Sequence, residues 1–302
     1  MGRIATLVVL AVLACPAAAG ARTAILPLGD SITYGSSLNV ISTPGGYRGM
    51  LGEELDAAGL DHTFVGTSTA NPPLGALLTP GAFAHDGWPG ARIDQIADAL
   101  DGPSPLDGGH WLTTAGVRPD VVIVHLGTND INQYYDPGTT YPGGYNSSDP
   151  AQRAEFVDHM IGRLHGLVDK IRADAPNAKI VLCTIVPMYD PTAAAYSEAI
   201  RSRLVPALRA AGVPVALADV ERAFASGGRG LIGPDGVHPL SAGYVAMTGA
   251  IEPAVAGLIR RSTGRGHAAR SRRSRPRAHA SRRAGRASHR PRPSARSGRR
   301  TA

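Results

Sequence analysis

Residues 121–130 read Val121-Val122-Ile123-Val124-His125-Leu126-Gly127-Thr128-Asn129-Asp130. An apolar run with no polar alternation, closed by glycine, is the pattern of a strand buried on both faces. Such strands sit inside parallel sheets that carry helices above and below. The stretch therefore predicts an α/β class, and the rest of the chain can be read for the layers it requires.

Working outward, apolar runs at Ala24 to Leu28, Thr63 to Val65, Ile180 to Val186 and Val215 to Leu217 supply further strands. Between them lie amphipathic stretches. Tyr47 to Ala58 reads as a helix that Gly59 stops. Ile93 to Leu100 places Ile93, Ile96, Ala97 and Leu100 on one face. Residues 152–174 line up Phe156, Met160, Leu164, Leu167, Val168 and Ile171, and further helices are expected near Tyr196 to Ala211 and from Ser241 to Ile259. Strand–helix alternation of this kind predicts a mainly parallel sheet with helices on both faces. Two long loops, 67–90 and 132–150, adjoin strand ends, where binding sites of such sheets are built.

The 302 residues, 43% of them hydrophobic, are enough for a sizeable core. Ile4 to Ala14 follows Arg3 and precedes Ala17-Ala18-Ala19, the basic, apolar and small-residue regions of a secretory signal. Residues 1–19 are thus expected to be a leader, with a domain over 20–261 and secretion as the destination. A competing reading makes Cys15 the lipidated start of a surface lipoprotein. In either reading no internal disulfide is expected. The net charge of +7 conceals an asymmetry: residues 260–302 hold 16 Arg and no acid, whereas residues 20–259 hold all 24 acids and 14 bases, a balance of −10. Residues 262–302 have too little apolar surface to offset chain entropy and are expected to be disordered. So Arg-rich a stretch suits contact with an anionic cell wall through counterion release, and a polyanion-binding protein is the alternative function of another class. A solvated extension is the simpler alternative. The absence of aromatic residues there argues against specific nucleic-acid binding.

Four short words carry chemistry. Gly29-Asp30-Ser31 places a serine just beyond the first strand, although helix caps and turns also favour serine. Gly233-Pro234-Asp235-Gly236-Val237-His238-Pro239 holds an Asp/His pair three apart on a tight turn, where the carboxylate can orient the imidazole as a base toward Ser31; a turn aspartate and a surface histidine are the plain alternative. Asn129 and Gly90, each also explicable as a turn residue, can donate to a developing oxyanion. No Gly-x-Ser-x-Gly elbow is present. Asp30 and Asp130 are expected to brace the site loops by accepting backbone hydrogen bonds. His125 reads as a satisfied core or supporting residue, and His85 as a possible substrate contact. His62, His110, His159 and His165 lack metal-ligand spacing.

Together these words resemble the SGNH (GDSL-type) hydrolase superfamily. The resemblance implies Ser31 as nucleophile, His238 as base, Asp235 as its orienter, and an oxyanion hole of Ser31, Gly90 and Asn129. It implies a flavodoxin-like three-layer α/β/α sandwich and no metal or cofactor. Gly46-Tyr47-Arg48-Gly49, Phe64-Val65-Gly66-Thr67, the stretch His85 to Ile96 and Val124 to Asp130 are similar to carbohydrate esterase family 3, the acetyl xylan esterases. Asp86 stands where many of those carry Glu, and the 132–150 insertion departs from them. An acylated polysaccharide or small ester is the implied substrate, with a lipase-like esterase of broader acyl range as the alternative. A monomer is expected.

Overall fold

In the computed structural model residues 22–36, 43–73 and 83–273 are described, the side chains of 262–273 excepted. The expected leader, Cys15 and most of the Arg-rich tail lie outside the described residues. By compactness the chain divides into Met1–Ser262 and Thr263–Ala302. Of the second unit, only the helical backbone up to Arg273 is described.

The chain opens with strand β1 (Thr23–Gly29), a single helical turn α1 (Ser31–Tyr34), helix α2 (Tyr47–Ala57), strand β2 (His62–Phe64), a short strand β3 (Asp86–Gly87) and helix α3 (Ile93–Asp101). A small hairpin, β4 (Pro103–Ser104) and β5 (Gly108–Gly109), precedes strand β6 (Val121–His125), the short helix α4 (Thr128–Asn132) and the long helix α5 (Pro150–Asp174). Strand β7 (Lys179–Cys183), helices α6 (Pro191–Ala199) and α7 (Val205–Ala210), strand β8 (Val215–Ala218), α8 (Val220–Ala223) and α9 (Ser241–Arg273) complete it.

The main sheet has the order β2-β1-β6-β7-β8, with β3 also paired to β1, and every pairing is parallel. Leaving aside the two-residue strands, this is the flavodoxin order 2-1-3-4-5. The chain moves from β1 outward to β2 and then returns to β6 on the other side of β1. Connections leave the sheet in opposite directions at that junction, which opens a crevice at the carboxyl ends of β1 and β6. Register aligns the edge, since Gly29 pairs with both Gly87 and His125.

Strand periodicity sorts the core into two layers. Leu26, Leu28, Val122, Val124, Ile180 and Leu182 pack with the apolar faces of α3, α5, α6 and α7. Ile25, Val121, Ile123, Val181 and Cys183 face the other way, against Leu51 and Leu55 of α2 and Met247, Ile251 and Val255 of α9. Burying each such side chain stabilises the fold by about 1.5–3 kcal/mol. The segment Ser241–Arg261 is long and apolar enough to span a membrane, but half of its apolar window is buried within the molecule.

Several expected boundaries move. The strand expected at Ile180 to Val186 ends at Cys183, and the remaining apolar residues, Ile185 and Val186, are buried in the loop that follows. The helix expected at Tyr196 to Ala211 starts five residues earlier, at Pro191 behind the N-cap Asp190, and contains a π-helical turn at Ile200–Leu204. That wide turn precedes Pro206, whose ring cannot sit under an ordinary i−4 carbonyl and which has no N–H to donate. The last helix continues past its expected end at Ile259 to Arg273, through Arg- and Ala-containing sequence that favours helix.

Candidate active site

Ser31 is the first residue of α1, immediately after β1. Asp30 rather than Ser31 is the helix N-cap: its Oδ1 accepts from the Ile32 amide at 2.9 Å. Gly29 must be glycine, because a Cβ there would lie 2.2 Å from Thr33 Oγ1 and 2.6 Å from the His125 carbonyl. That close approach tucks the turn against the sheet edge and leaves Ser31 only 8% exposed.

From 207 residues further along the chain, His238 Nε2 reaches Ser31 Oγ at 2.8 Å. Its Nδ1 lies 2.8 Å from Asp235 Oδ2. The other carboxylate oxygen, Asp235 Oδ1, accepts from the amides of Val237 at 2.9 Å and His238 at 3.0 Å. These bonds assign the imidazole tautomer: Nδ1–H donates to Asp235, and Nε2 accepts the serine hydroxyl. Burial raises the Asp235 pKa, but the two amides and the imidazole outweigh it and hold the carboxyl below its ordinary range. The turn is closed at its base by Gly233 N–H donating to the His238 carbonyl at 2.7 Å and Leu240 N–H to Leu231 at 2.9 Å.

Asn129 lies in α4, four residues beyond His125, and its Nδ2 donates to the Ala91 carbonyl at 3.0 Å. A carboxamide nitrogen has two N–H bonds, so one remains free. Gly90 has φ +80°, with open space where a Cβ would stand. Among the described residues, no acceptor is matched to the Ser31 or Gly90 amide. The three candidate donors thus follow β1, β3 and β6, strands whose register aligns them at one edge.

The surrounding shell holds what sequence reading missed. Gln133 donates through Nε2 to the Gly90 carbonyl at 3.0 Å, and its Oε1 accepts from Arg92 Nη1 at 2.7 Å. Arg92 also grips Asp94 and stacks 3.7 Å above the Tyr135 ring. The start of the 132–150 insertion is therefore joined to the Gly90 turn. Arg48, fully buried in α2, donates to the carbonyls of Thr33, Tyr34, Asn71 and Phe83. Burial draws its pKa down to about 10. The only sequence signal for Arg48 was its place in the Gly46 to Gly49 word; Gln133 had none.

Asp30 and Asp130 brace as expected, Asp130 Oδ2 accepting from the Ile93 amide at 3.1 Å. Burial raises each of them, and likewise Asp86, to about 6. Two histidine readings need correction. His85 is fully buried, with Nε2 on the Ala70 carbonyl at 2.9 Å and Nδ1 accepting from Gly87 N–H at 3.0 Å, so it braces a loop and does not face substrate. His125 is a core residue but not a satisfied one: among the described residues neither ring nitrogen has a hydrogen-bond partner, and Nδ1 stands 4.0 Å from Asp30 Oδ1. Burial lowers both imidazoles to about 4. No group of three or more His, Cys, Asp or Glu able to hold a metal occurs among the described residues.

Comparison with known proteins bears on the family and the fold. Residues 28–246 match the GDSL-like lipase/acylhydrolase family. A multidomain esterase of Ruminococcus flavefaciens is 26% identical over 171 residues, 53% of this chain but 19% of that protein, so the match spans about a fifth of that relative's length. An acetyl esterase mutant crystallised with acetate ion superposes with a TM-score of 0.59 at 25% identity, over 80% of this chain and 99% of its own. A carbohydrate esterase of family 3 from Talaromyces cellulolyticus gives 0.57 at 26% identity, over 79% and 98%.

Proposed function

The chain belongs to the GDSL-like lipase/acylhydrolase family and is a carboxylic ester hydrolase, and on that premise we propose that it is an exported serine esterase removing acetyl or other short acyl groups from polysaccharide. The observation that carries this reading is the unbroken path Asp235–His238–Ser31, two contacts of 2.8 Å beside unmatched N–H donors. Ser31 Oγ attacks the ester carbonyl while His238 Nε2 takes its proton. Asp235 keeps the imidazole in the required tautomer and stabilises its charge. Negative charge gathering on the carbonyl oxygen is met by the amides of Ser31 and Gly90 and the free N–H of Asn129. His238 then returns the proton to the departing sugar oxygen, leaving an acyl-Ser31 that water releases by the same steps.

Likeness to the acetyl esterase and the family 3 carbohydrate esterase supports an acetylated carbohydrate as substrate. The apolar stretch before Ala19 supports export, which N-terminal sequencing of secreted protein would test. Ser31→Ala should lose p-nitrophenyl acetate hydrolysis by on the order of 10³-fold or more while its melting temperature stays near wild type. A folded variant with full activity would overturn the assignment. Rates across acetate, butyrate and octanoate esters separate a short-acyl esterase, which falls steeply with chain length, from a lipase-like one.

A further inference from the structure

Among the described residues Tyr189 is one of few large apolar side chains left in the open, 68% exposed. It sits in the loop that follows β7, at the sheet edge that also carries Ser31 and Asn129, just before α6. Its ring lies directly against the catalytic turn: a Cβ on Gly236 would stand 2.6 Å from Tyr189 Cε2. Gly236 is the residue after Asp235 and two before His238.

Arg229, on the 3-10 turn Gly228–Leu231, lays its guanidinium 3.7 Å above the same ring. Among the described residues, no carboxylate or carbonyl accepts from that guanidinium, although the body of the chain is rich in acids. Stacking uses the flat face of the group and leaves its in-plane N–H donors free, the geometry that grips a carboxylate with two bonds.

The direction of the reaction says what would lie there. If His238 Nε2 returns its proton to the leaving oxygen, the sugar must depart on the His238 side of the acyl carbon. Tyr189 packs against Gly236 of the turn that carries His238, and Arg229 lies on Tyr189. We propose that the Tyr189–Arg229 pair is a subsite for an acidic sugar, a uronate carried near the acetylated residue, with the ring surface meeting the sugar's C–H face and the guanidinium its carboxylate. This deepens the esterase reading and rests on it.

The test uses xylo-oligosaccharides with and without a glucuronic acid branch, both chemically acetylated, and reads the ratio of kcat/KM for acidic over neutral substrate. Wild type should favour the acidic substrate by about fivefold, the scale of one exposed ion pair, and lose that preference at high salt. Arg229→Gln should bring the ratio to about one, Arg229→Lys should restore part of it, and Tyr189→Ala should raise KM for both glycans. Melting temperatures control for folding. A ratio near one in wild type, or one that Arg229→Gln leaves unchanged, overturns the subsite while glycan turnover keeps the esterase reading intact. Hydrolysis of vinyl acetate with no turnover of any acetylated glycan overturns the polysaccharide reading and the subsite with it.

Discussion

Asp235 has all its donors within its own turn, and each is needed for a different reason. The amides of Val237 and His238 fix where the carboxylate sits, and the imidazole Nδ1–H depends on its charge. Asp235→Asn keeps the shape but offers Nδ1 an N–H on one side, which favours the tautomer with its proton on Nε2, facing Ser31. The expected result is a fall in kcat of roughly 10³- to 10⁴-fold with KM little changed, measured on p-nitrophenyl acetate. The residues of this path could be read from sequence because each belongs to a short word with a restricted spacing, and three separations (Asp235 to His238, Gly127 to Asn129, Gly29 to Ser31) are set by local turns. Gln133 and Arg48 could not be read that way. They act on backbone carbonyls, which every residue possesses, so nothing in a neighbouring side chain announces them.

Among the elements, the buried strands were the most legible, since β1 and β6 are continuous apolar runs that no surface helix would carry. The short helices α1 and α4 were not: four or five residues are too few to show a period, and they exist because caps and the sheet edge hold them. The π-helical turn was hidden for the same reason, its apolar residues keeping ordinary helical spacing. The insertion after α4 joins the site through the Gln133 amide and through Tyr135 beneath Arg92, and Gln133→Leu tests the first of these links. Without the Nε2 donor the Gly90–Ala91 peptide loses its anchor, and the Cα it shares with the Pro89–Gly90 peptide, which carries the Gly90 N–H, is held less firmly. The expected outcome is a fall in kcat on the order of tenfold with an unchanged KM, and with the Arg92–Asp94 pair still in place. Gln133→Glu should be worse than Leu, because a carboxylate repels the same carbonyl. Equal KM and kcat effects in both variants would refute the link.

For the whole molecule, the buried carboxyls set a conflict between stability and chemistry. Burial pushes the Asp30 carboxyl up to about 6 from its ordinary 3.8, while the charge of His238 works to lower it. Below pH 3.8 both folded and unfolded chains are protonated and the group contributes nothing. Between 3.8 and 6 the unfolded chain ionises first, so the cost to stability grows with pH and is fully present above 6. Asp30→Asn keeps an acceptor for Ile32 and removes that cost. Thermal melts should show little difference from wild type at pH 4 and a more stable variant at pH 8, by at most about 3 kcal/mol. Its turnover should fall, because the electrostatic attraction between Asp30 and His238 is gone. The contact between His238 and Ser31 has a consequence in time as well as space. The two residues are 207 positions apart, so a chain leaving the ribosome carries its serine long before its histidine. Through most of its own synthesis the protein is a serine-bearing sheet with no base, inert toward the esters around it, and hydrolysis begins only when the turn before the last helix has been made and folded back.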